Sequence, residues 1–380
     1  MHLAIGHSDQ PDPFEALQSI FGQVQNALQR REPKAGLLFS GYEQDHDYCL
    51  QEIGARFPNL PIIGCTSYGE FSSAISYQED STAFGLLCGQ GFEVGAGQGF
   101  GLQNDLQGTV KRAIDQALSQ IKGPLQMGLA FVDGLSVSSQ LVLEEIQKQL
   151  GPDIPIFGGS AADDWNFEKT ILFFNERRSS DGLVLLLFSG NFQYSFGLAS
   201  GWSAISQKVR ITGAKGNQVF TIDHQPAKEF YKYYLGDHKR PSGEFPLIIH
   251  TASGDSYLRA CIGYNEANGS ITFSGDVPEG AYAQLTDATK EAILDAAQLS
   301  ARQARERFQG KPHFALCFSC AARRQVLGIR THMEFEIISK EIGSKVPVLG
   351  FYTYGEFCPL QPQKPSLFQN ESFVTLLIGP

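Results

Sequence analysis

Pro347-Val-Leu-Gly-Phe-Tyr-Thr-Tyr-Gly-Glu356 has a near-copy towards the other end of the chain, Pro61-Ile-Ile-Gly-Cys-Thr-Ser-Tyr-Gly-Glu70. Each stretch is a proline, an apolar run of strand length, and a glycine-bearing polar turn closed by an acid. The same frame recurs at Pro155 and, more loosely, at Pro246. Apolar residues flank every one of these prolines, and an acid stands nine residues after each, at Glu70, Asp164, Asp255 and Glu356. Glycine follows three residues after the proline at Gly64, Gly158 and Gly350, whereas the Pro246 copy has Ile249. Self-similarity at a fixed period marks a repeated structural unit.

The flanks extend the unit. Before three of the prolines, apolar residues fall at helical spacing: Cys49, Leu50, Ile53 and Phe57; Leu141, Val142, Ile146 and Leu150; Met333, Ile337, Ile338 and Ile342. A buried-type strand precedes each helix, at 36–39, 128–132 and 314–318, and another follows each acid, at 83–88, 183–188 and 373–378. Longer helices lead in at about 13–30, 105–121 and 285–308. The unit reads strand, helix, strand, turn, strand, with the first two strands parallel across a helical crossover and the third antiparallel. The expected fold is α/β with mixed sheets, built from repeated β-α-β-β units and covered by helices. Two related halves, 1–200 and 201–380, are expected to hold two units each. The Pro246 unit is the degenerate one, with a helix near 226–235, and a hairpin around Gly213-Ala-Lys-Gly216 follows the boundary.

Composition narrows the function. Of 380 residues 42% are apolar and 18% charged, enough for a large core and too apolar for wholesale disorder. The formal net charge is −10 and no long stretch is dominated by Lys or Arg, which argues against nucleic acid or an anionic membrane as partner. Seven scattered cysteines, an odd number, point to free thiols in a reducing compartment. No secretory leader is visible, and the apolar run Gly182 to Phe188 is too short to span a bilayer. A soluble cytoplasmic protein is expected.

In open α/β sheets, ligands collect beyond the carboxyl ends of parallel strands. The turns at 64–70, 158–164 and 350–356 lie there and offer N–H groups, hydroxyls and a carboxylate. That set suits a small polar ligand, especially one with an ammonium group. Glu70, Asp163, Asp164, Asp255 and Glu356 are therefore candidates, with Tyr354 beside the last. The same acids serve equally as caps of their turns. Phe318-Ser-Cys-Ala-Ala-Arg-Arg324 follows a strand and is expected at the same edge as Glu356. Arg323 or Arg324 can take a ligand carboxylate bidentately, or pair with an acid such as Glu356. Cys320 beside these arginines is expected either to be reactive through a lowered pKa or to be a small buried residue. Arg259 reaches a site or pairs with Asp255, and Asn370 is placed to hydrogen-bond the Tyr354–Glu356 turn. No dinucleotide or phosphate loop occurs, Cys317 and Cys320 have no second pair for zinc, and Asp163-Asp164 alone are too few for a metal. No cofactor is expected.

With these motifs the chain resembles the FIST family of sensory proteins, in both its N-terminal and C-terminal domains. The residues carrying the resemblance are Gly64-Cys-Thr-Ser-Tyr-Gly-Glu70, Gly158-Gly-Ser-Ala-Ala-Asp-Asp164, Val277-Pro-Glu-Gly280, Ser319-Cys-Ala-Ala-Arg-Arg324 and Gly350-Phe-Tyr-Thr-Tyr-Gly-Glu356, with Asn370 downstream. It covers about 30–380. Ala322 stands where the family pattern leads one to expect glycine, and Gln369 where it leads one to expect histidine. The resemblance implies a signal-input module for small ligands such as amino acids, of a kind found beside kinase, cyclase or chemoreceptor output domains. The repeats fill the chain, so a separate signalling partner such as a kinase or cyclase is expected. The leading expectation is non-enzymatic binding of an amino-acid-like metabolite. The alternatives are a small-molecule enzyme using Cys320 or a strand-end carboxylate, and a ligand-free interaction scaffold.

Overall fold

The computed structural model describes residues 1–236, 241–251 and 254–380. Three six-stranded mixed sheets and one nine-stranded sheet account for its strands. The first six-stranded sheet follows directly from the sequence pattern. Strand Pro33–Gly41 runs parallel to Ile62–Ser67 across the helix His46–Arg56, and Thr82–Cys88 returns antiparallel on the other side. His2–Ser8 pairs with that return strand, and the helix Pro13–Leu28 packs on it. The second sheet repeats this with Leu125–Val132, Ile156–Ser160 and Gly182–Gly190, led by strand Phe92–Phe100 and helix Leu106–Leu118. The third uses Phe314–Cys320, Val348–Thr353 and Phe373–Gly379, led by strand Gln193–Ala199 and helix Lys290–Arg307.

The short strands that follow each parallel strand do not stay in their own sheet. The hairpin Glu70–Ser72 with Ser76–Gln78 joins the third sheet, on Val348–Thr353. Leu172–Phe174 with Arg177–Ser179 joins the first, on Ile62–Ser67. Glu356–Pro359 with Ser366–Gln369 joins the second, on Ile156–Ser160. Each unit thus completes its neighbour's sheet in a closed cycle of three. Register explains the repeated glycine. Gly64, Gly158 and Gly350 lie opposite Phe173, Phe357 and Phe71 of the incoming hairpins. A Cβ at any of them would collide with the carbonyl oxygen of the parallel neighbour, Leu38, Ala130 or Cys317. The glycine is there so that backbones can approach.

All three sheets share one core. Phe39, Phe131 and Phe318 hold the same position in the first strand of each unit and meet at the centre. Phe39 and Phe131 are edge to face at 5.2 Å, Phe131 and Phe318 are 6.4 Å apart, and Phe351 stacks on Phe39 at 4.3 Å. Such offset and edge contacts are the favoured geometries of aromatic pairs.

Two expectations change. The repeat has three copies, and the Pro246 segment is not a fourth. Leu247–His250 pairs antiparallel with both Ser256–Arg259 and Tyr282–Asp287, and every pairing in the nine-stranded sheet is antiparallel among the described residues. The hairpin Val209–Lys215 with Gln218–Ile222 and the helix Ala227–Leu235 belong to this sheet's own layer. The whole sheet is inserted between strand Gln193–Ala199 and helix Lys290–Arg307, which a short loop joins in the other two units. A proline ahead of an apolar strand, followed by a polar turn, is a common strand signature, and here it arises without the crossover helix. The chain also does not assemble as two equivalent halves, because Gln193–Ala199 pairs with Phe373–Gly379 and hairpins pass both ways across residue 200. Among the described residues, no helix is long and apolar enough to cross a membrane.

Candidate functional site

Sheet register sorts the repeated acids. Glu70 lies opposite Phe351 and Glu356 opposite Gly159, the first position of each incoming hairpin. In the remaining unit that position is Leu172, opposite Cys65. Asp164 therefore shares the offset of the other two acids but not their place. It sits in a longer loop before its hairpin, in a left-handed conformation at φ 54°. Glu70 and Glu356 are both fully buried. Each accepts an N–H at 3.3 Å and a hydroxyl from the serine ahead of the last strand, Ser81 or Ser372. The unit with Leu172 has Gly182 at the serine position, so acid and serine are lost together.

The two glutamates differ at their second oxygen. Glu70 takes the hydroxyl of Ser67 there. Behind Ser81, His7 places Nε2 at 2.8 Å from the hydroxyl and Nδ1 at 2.9 Å from Ser72. This network is closed and buried. Burial pushes the Glu70 carboxyl up to about 7 against the pull of its serine hydrogen bonds, and pushes His7 down to about 3. Its acid is an internal strut. At Glu356, Thr353 stands where Ser67 does, but donates its hydroxyl at 2.6 Å to the Ser160 carbonyl. Glu356 Oε1 is left with no hydrogen-bond partner among the described residues.

That oxygen has company. Both carboxyl oxygens of Glu371, Gln369 Nε2 and Asn370 Nδ2 also lack partners among the described residues, and all four side chains are buried. Leaving a buried polar group unpaired costs about 1–3 kcal/mol, so native structures hold few of them. Burial pushes Glu356 up to about 8, opposed by the hydrogen bonds of Ser372, the charge of Arg323 and a weak hydrogen bond from the Cys320 thiol. Glu371 is raised well above the usual carboxyl range by burial and by Glu356, against the pull of Arg323. Its backbone is left-handed at φ 60°, like Asp80 and Asp181 in the other units. A cavity of about 260 Å³ reaches this cluster at Gln369, Asn370 and Ser372. Its far wall is apolar, from Leu198 and Trp202 beside the core and from Ile248 and Leu258 of the inserted sheet. Asn370 also bridges the two bodies, its Oδ1 accepting from the Ser274 hydroxyl at 2.6 Å.

The other candidates are placed elsewhere. Asp163 is saturated: it accepts the N–H groups of Phe167, Glu168 and Lys169 and the Tyr354 hydroxyl at 2.6 Å, fixing the 163–169 loop. Tyr354 stacks on Phe167 at 4.5 Å. Asp164 is half-buried near Asp80 and Arg324, and burial is the main cause lifting it to about 6. Arg324 donates to the Tyr68 carbonyl at 2.7 Å, pairs with Glu79 at 3.0 Å and lies over the Tyr68 ring. Arg323 is fully buried and pairs not with Glu356 but with Glu334, whose other oxygen takes Ser319 and Tyr352. Two further donors go to the Ser200 and Ile293 carbonyls, so four of its five N–H groups are engaged within the protein. Cys320 is buried, and burial with the charges of Glu356 and Glu371 raises its thiol well above the usual value. The expected activation by neighbouring arginines is missing, because Arg323 is turned onto Glu334 and Arg324 onto Glu79. Arg259 is buried at the edge of a different cavity, and Asp255 is exposed on the inserted sheet. Among the described residues no group of three or more His, Cys, Asp or Glu side chains is set to hold a metal ion.

Sequence reasoning missed Glu371, Gln369 and Ser372 as partners of Glu356. Four polar residues in a row, Gln369-Asn-Glu-Ser372, read as an exposed turn before an apolar strand. It also missed Glu334, one of several acids on an amphipathic helix and the one that faces inward.

Two family models match most of the chain. A model of the FIST N domain matches residues 34–225 and a model of the FIST C domain matches residues 227–359. An uncharacterized protein of Methanocaldococcus jannaschii is 24% identical over 299 residues, covering 71% of this chain and 58% of its own length. The chain thus spans a little over half of that curated relative. A crystal structure of cyanuric acid hydrolase from A. caulinodans aligns over 100% of this chain and 99% of its own, at 10% identity and a TM-score of 0.35. That similarity is too low to carry an argument about fold or activity.

Proposed function

We propose that this chain, which belongs to the FIST family, whose domains are sensory domains of signal transduction proteins, binds an amino-acid-like metabolite at the Glu356 cluster. One observation carries the reading: Glu356, Gln369, Asn370 and Glu371 are neighbouring buried side chains, each with at least one polar atom that lacks a partner among the described residues, and Gln369 and Asn370 line the cavity. Their chemistry is two-sided. The amides of Gln369 and Asn370 are donors suited to a ligand carboxylate, and the carboxyls of Glu356 and Glu371 behind them suit its ammonium, whose positive charge would draw their raised pKa values down on binding. The apolar wall of Leu198, Trp202, Ile248 and Leu258 suits a hydrocarbon side chain. A volume of about 260 Å³ fits a metabolite below drug size. Arg323 and Arg324 take no part, since both are engaged within the protein.

The cavity lies where the inserted sheet meets the three-sheet core, so one ligand touches both. A ligand shifts such an arrangement only by binding one relative placement better than the other. The proposed output is a change in that placement, read by a separate signalling protein of the kinase or cyclase kind. Thermal-shift screening against amino acids, with matched analogues lacking either the amine or the carboxylate, tests the site. A hit is expected to need both groups and to be lost in Asn370→Leu. The reading fails if no amino acid stabilises the wild type, or if a hit stabilises Asn370→Leu equally.

A further inference from the structure

A second cavity, of about 400 Å³, lies along the hairpin strand Ser366–Gln369 and is lined by Ser366, Leu367 and Phe368. It is walled by Leu143 and Gln147 of the helix Ser139–Leu150, by Tyr257 of the inserted sheet, and by Pro365, Leu367 and Phe368. Arg259 stands at its edge, only 3% exposed. Burial lowers this guanidinium to about 10. Among the described residues its hydrogen bonds end on uncharged oxygens, the carbonyls of Leu258, Asp276 and Phe368 and the side-chain oxygen of Gln140 at 2.9 Å, with the Asp276 and Glu144 carboxylates acting on it only at longer range. The guanidinium plane lies over the Tyr257 ring at 4.1 Å. Arg323, the other buried arginine among the described residues, has its carboxylate in Glu334 at 2.6 Å. A buried cation without a carboxylate in contact is costly, and an incoming anion relieves that cost.

We infer that Arg259 is the anchor of a second binding site, for a small molecule that carries a carboxylate on an apolar body. The carboxylate takes the place of Gln140 on Nη2, and the body lies along Leu143, Leu367 and Phe368. Gln140 is free to yield because it is a side chain on a helix surface, already sharing its amide with Glu144 at 2.9 Å. Glu144, at the cavity rim, opposes an anion and sets a ceiling on affinity. The site is separate from the Glu356 cluster. Tyr257 lines both cavities, and strand Ser366–Gln369 presents Phe368 to one and Gln369 to the other.

Benzoate is a direct probe, with benzamide as its neutral counterpart, by calorimetric titration into the full chain. Benzoate is expected to bind and benzamide not to. Leu367→Trp fills the cavity without touching Arg259, and is expected to abolish benzoate binding while the protein stays folded. Glu144→Gln removes the rim charge and is expected to tighten binding about two- to fivefold. Asn370→Leu, which disables the first site, is expected to leave benzoate binding unchanged. The inference is overturned if benzoate does not bind the wild type at millimolar concentration, if benzamide binds as well, or if Leu367→Trp binds benzoate like the wild type.

Discussion

Glu356→Gln isolates the electrostatics of the candidate site, and its effect can be worked out in advance. The side chain keeps its shape, and an amide oxygen still accepts from Ser372. What disappears is a titrating group whose carboxyl lies at about 8 in the folded chain against an ordinary 4.5. Between those values the folded state holds a proton that the unfolded state has released. Stability therefore falls as pH rises, at about 1.4 kcal/mol per pH unit for one group. From pH 5 to pH 7 Glu356 alone withdraws up to about 3 kcal/mol. Glu371, raised mainly by burial and further by Glu356, adds to the slope in both proteins and loses only the part due to Glu356 in the variant. Urea unfolding at pH 5, 6 and 7 measures the difference. The wild type is expected to weaken more steeply than Glu356→Gln, the two curves separating by about 2–3 kcal/mol across the interval. Parallel curves would show that Glu356 ionises normally in the folded protein, and the account of the cluster as buried and unpaired would be wrong.

Three further outcomes follow from the fold. Leu172→Glu restores the missing third acid without the serine that Glu70 and Glu356 each use, so it should cost several kcal/mol at pH 7 and less at pH 5, seen as a pH-dependent loss in Tm. Glu334→Gln breaks the buried pair with Arg323 and should lower unfolding free energy by about 3–5 kcal/mol, while Glu336→Gln on the same helix should change it by less than about 0.5 kcal/mol. Gly22→Ala in the helix Pro13–Leu28 meets open space and should stabilise by about 0.5–1 kcal/mol, checked by denaturant midpoint.

The mixed α/β architecture was legible because its signals are local. Helical spacing at Leu141 to Leu150, a proline at a strand start and a glycine three residues on are all contained in one short window. The cyclic exchange of hairpins was not legible, since nothing near Phe71 names Gly350 as its partner. The false fourth copy came from the same locality: Pro246 begins an apolar strand, and a pattern of strand and turn does not say whether the next pairing is parallel. Counting residues also misplaced the third acid. A longer loop moves the hairpin to Leu172, so Asp164 keeps the count and loses the place. Glu356 was singled out by its repeat, but the residues around it needed tertiary structure. Gln369 and Glu371 are polar residues in a turn until a second sheet covers them, and Arg323 finds Glu334 only once strand and helix are packed.

The exchanged hairpins also have a consequence in time. The Val348 N–H meets the Ser73 hydroxyl across 275 residues. At about 5–20 residues per second on the ribosome, the first hairpin waits roughly 14–55 s before its partner strand is even made. Through that interval its edge is a template without a match, and any other nascent copy offers the same strand. The ring can close only when the last unit emerges, so this protein should be most vulnerable to misassembly during synthesis, long before its finished core protects it.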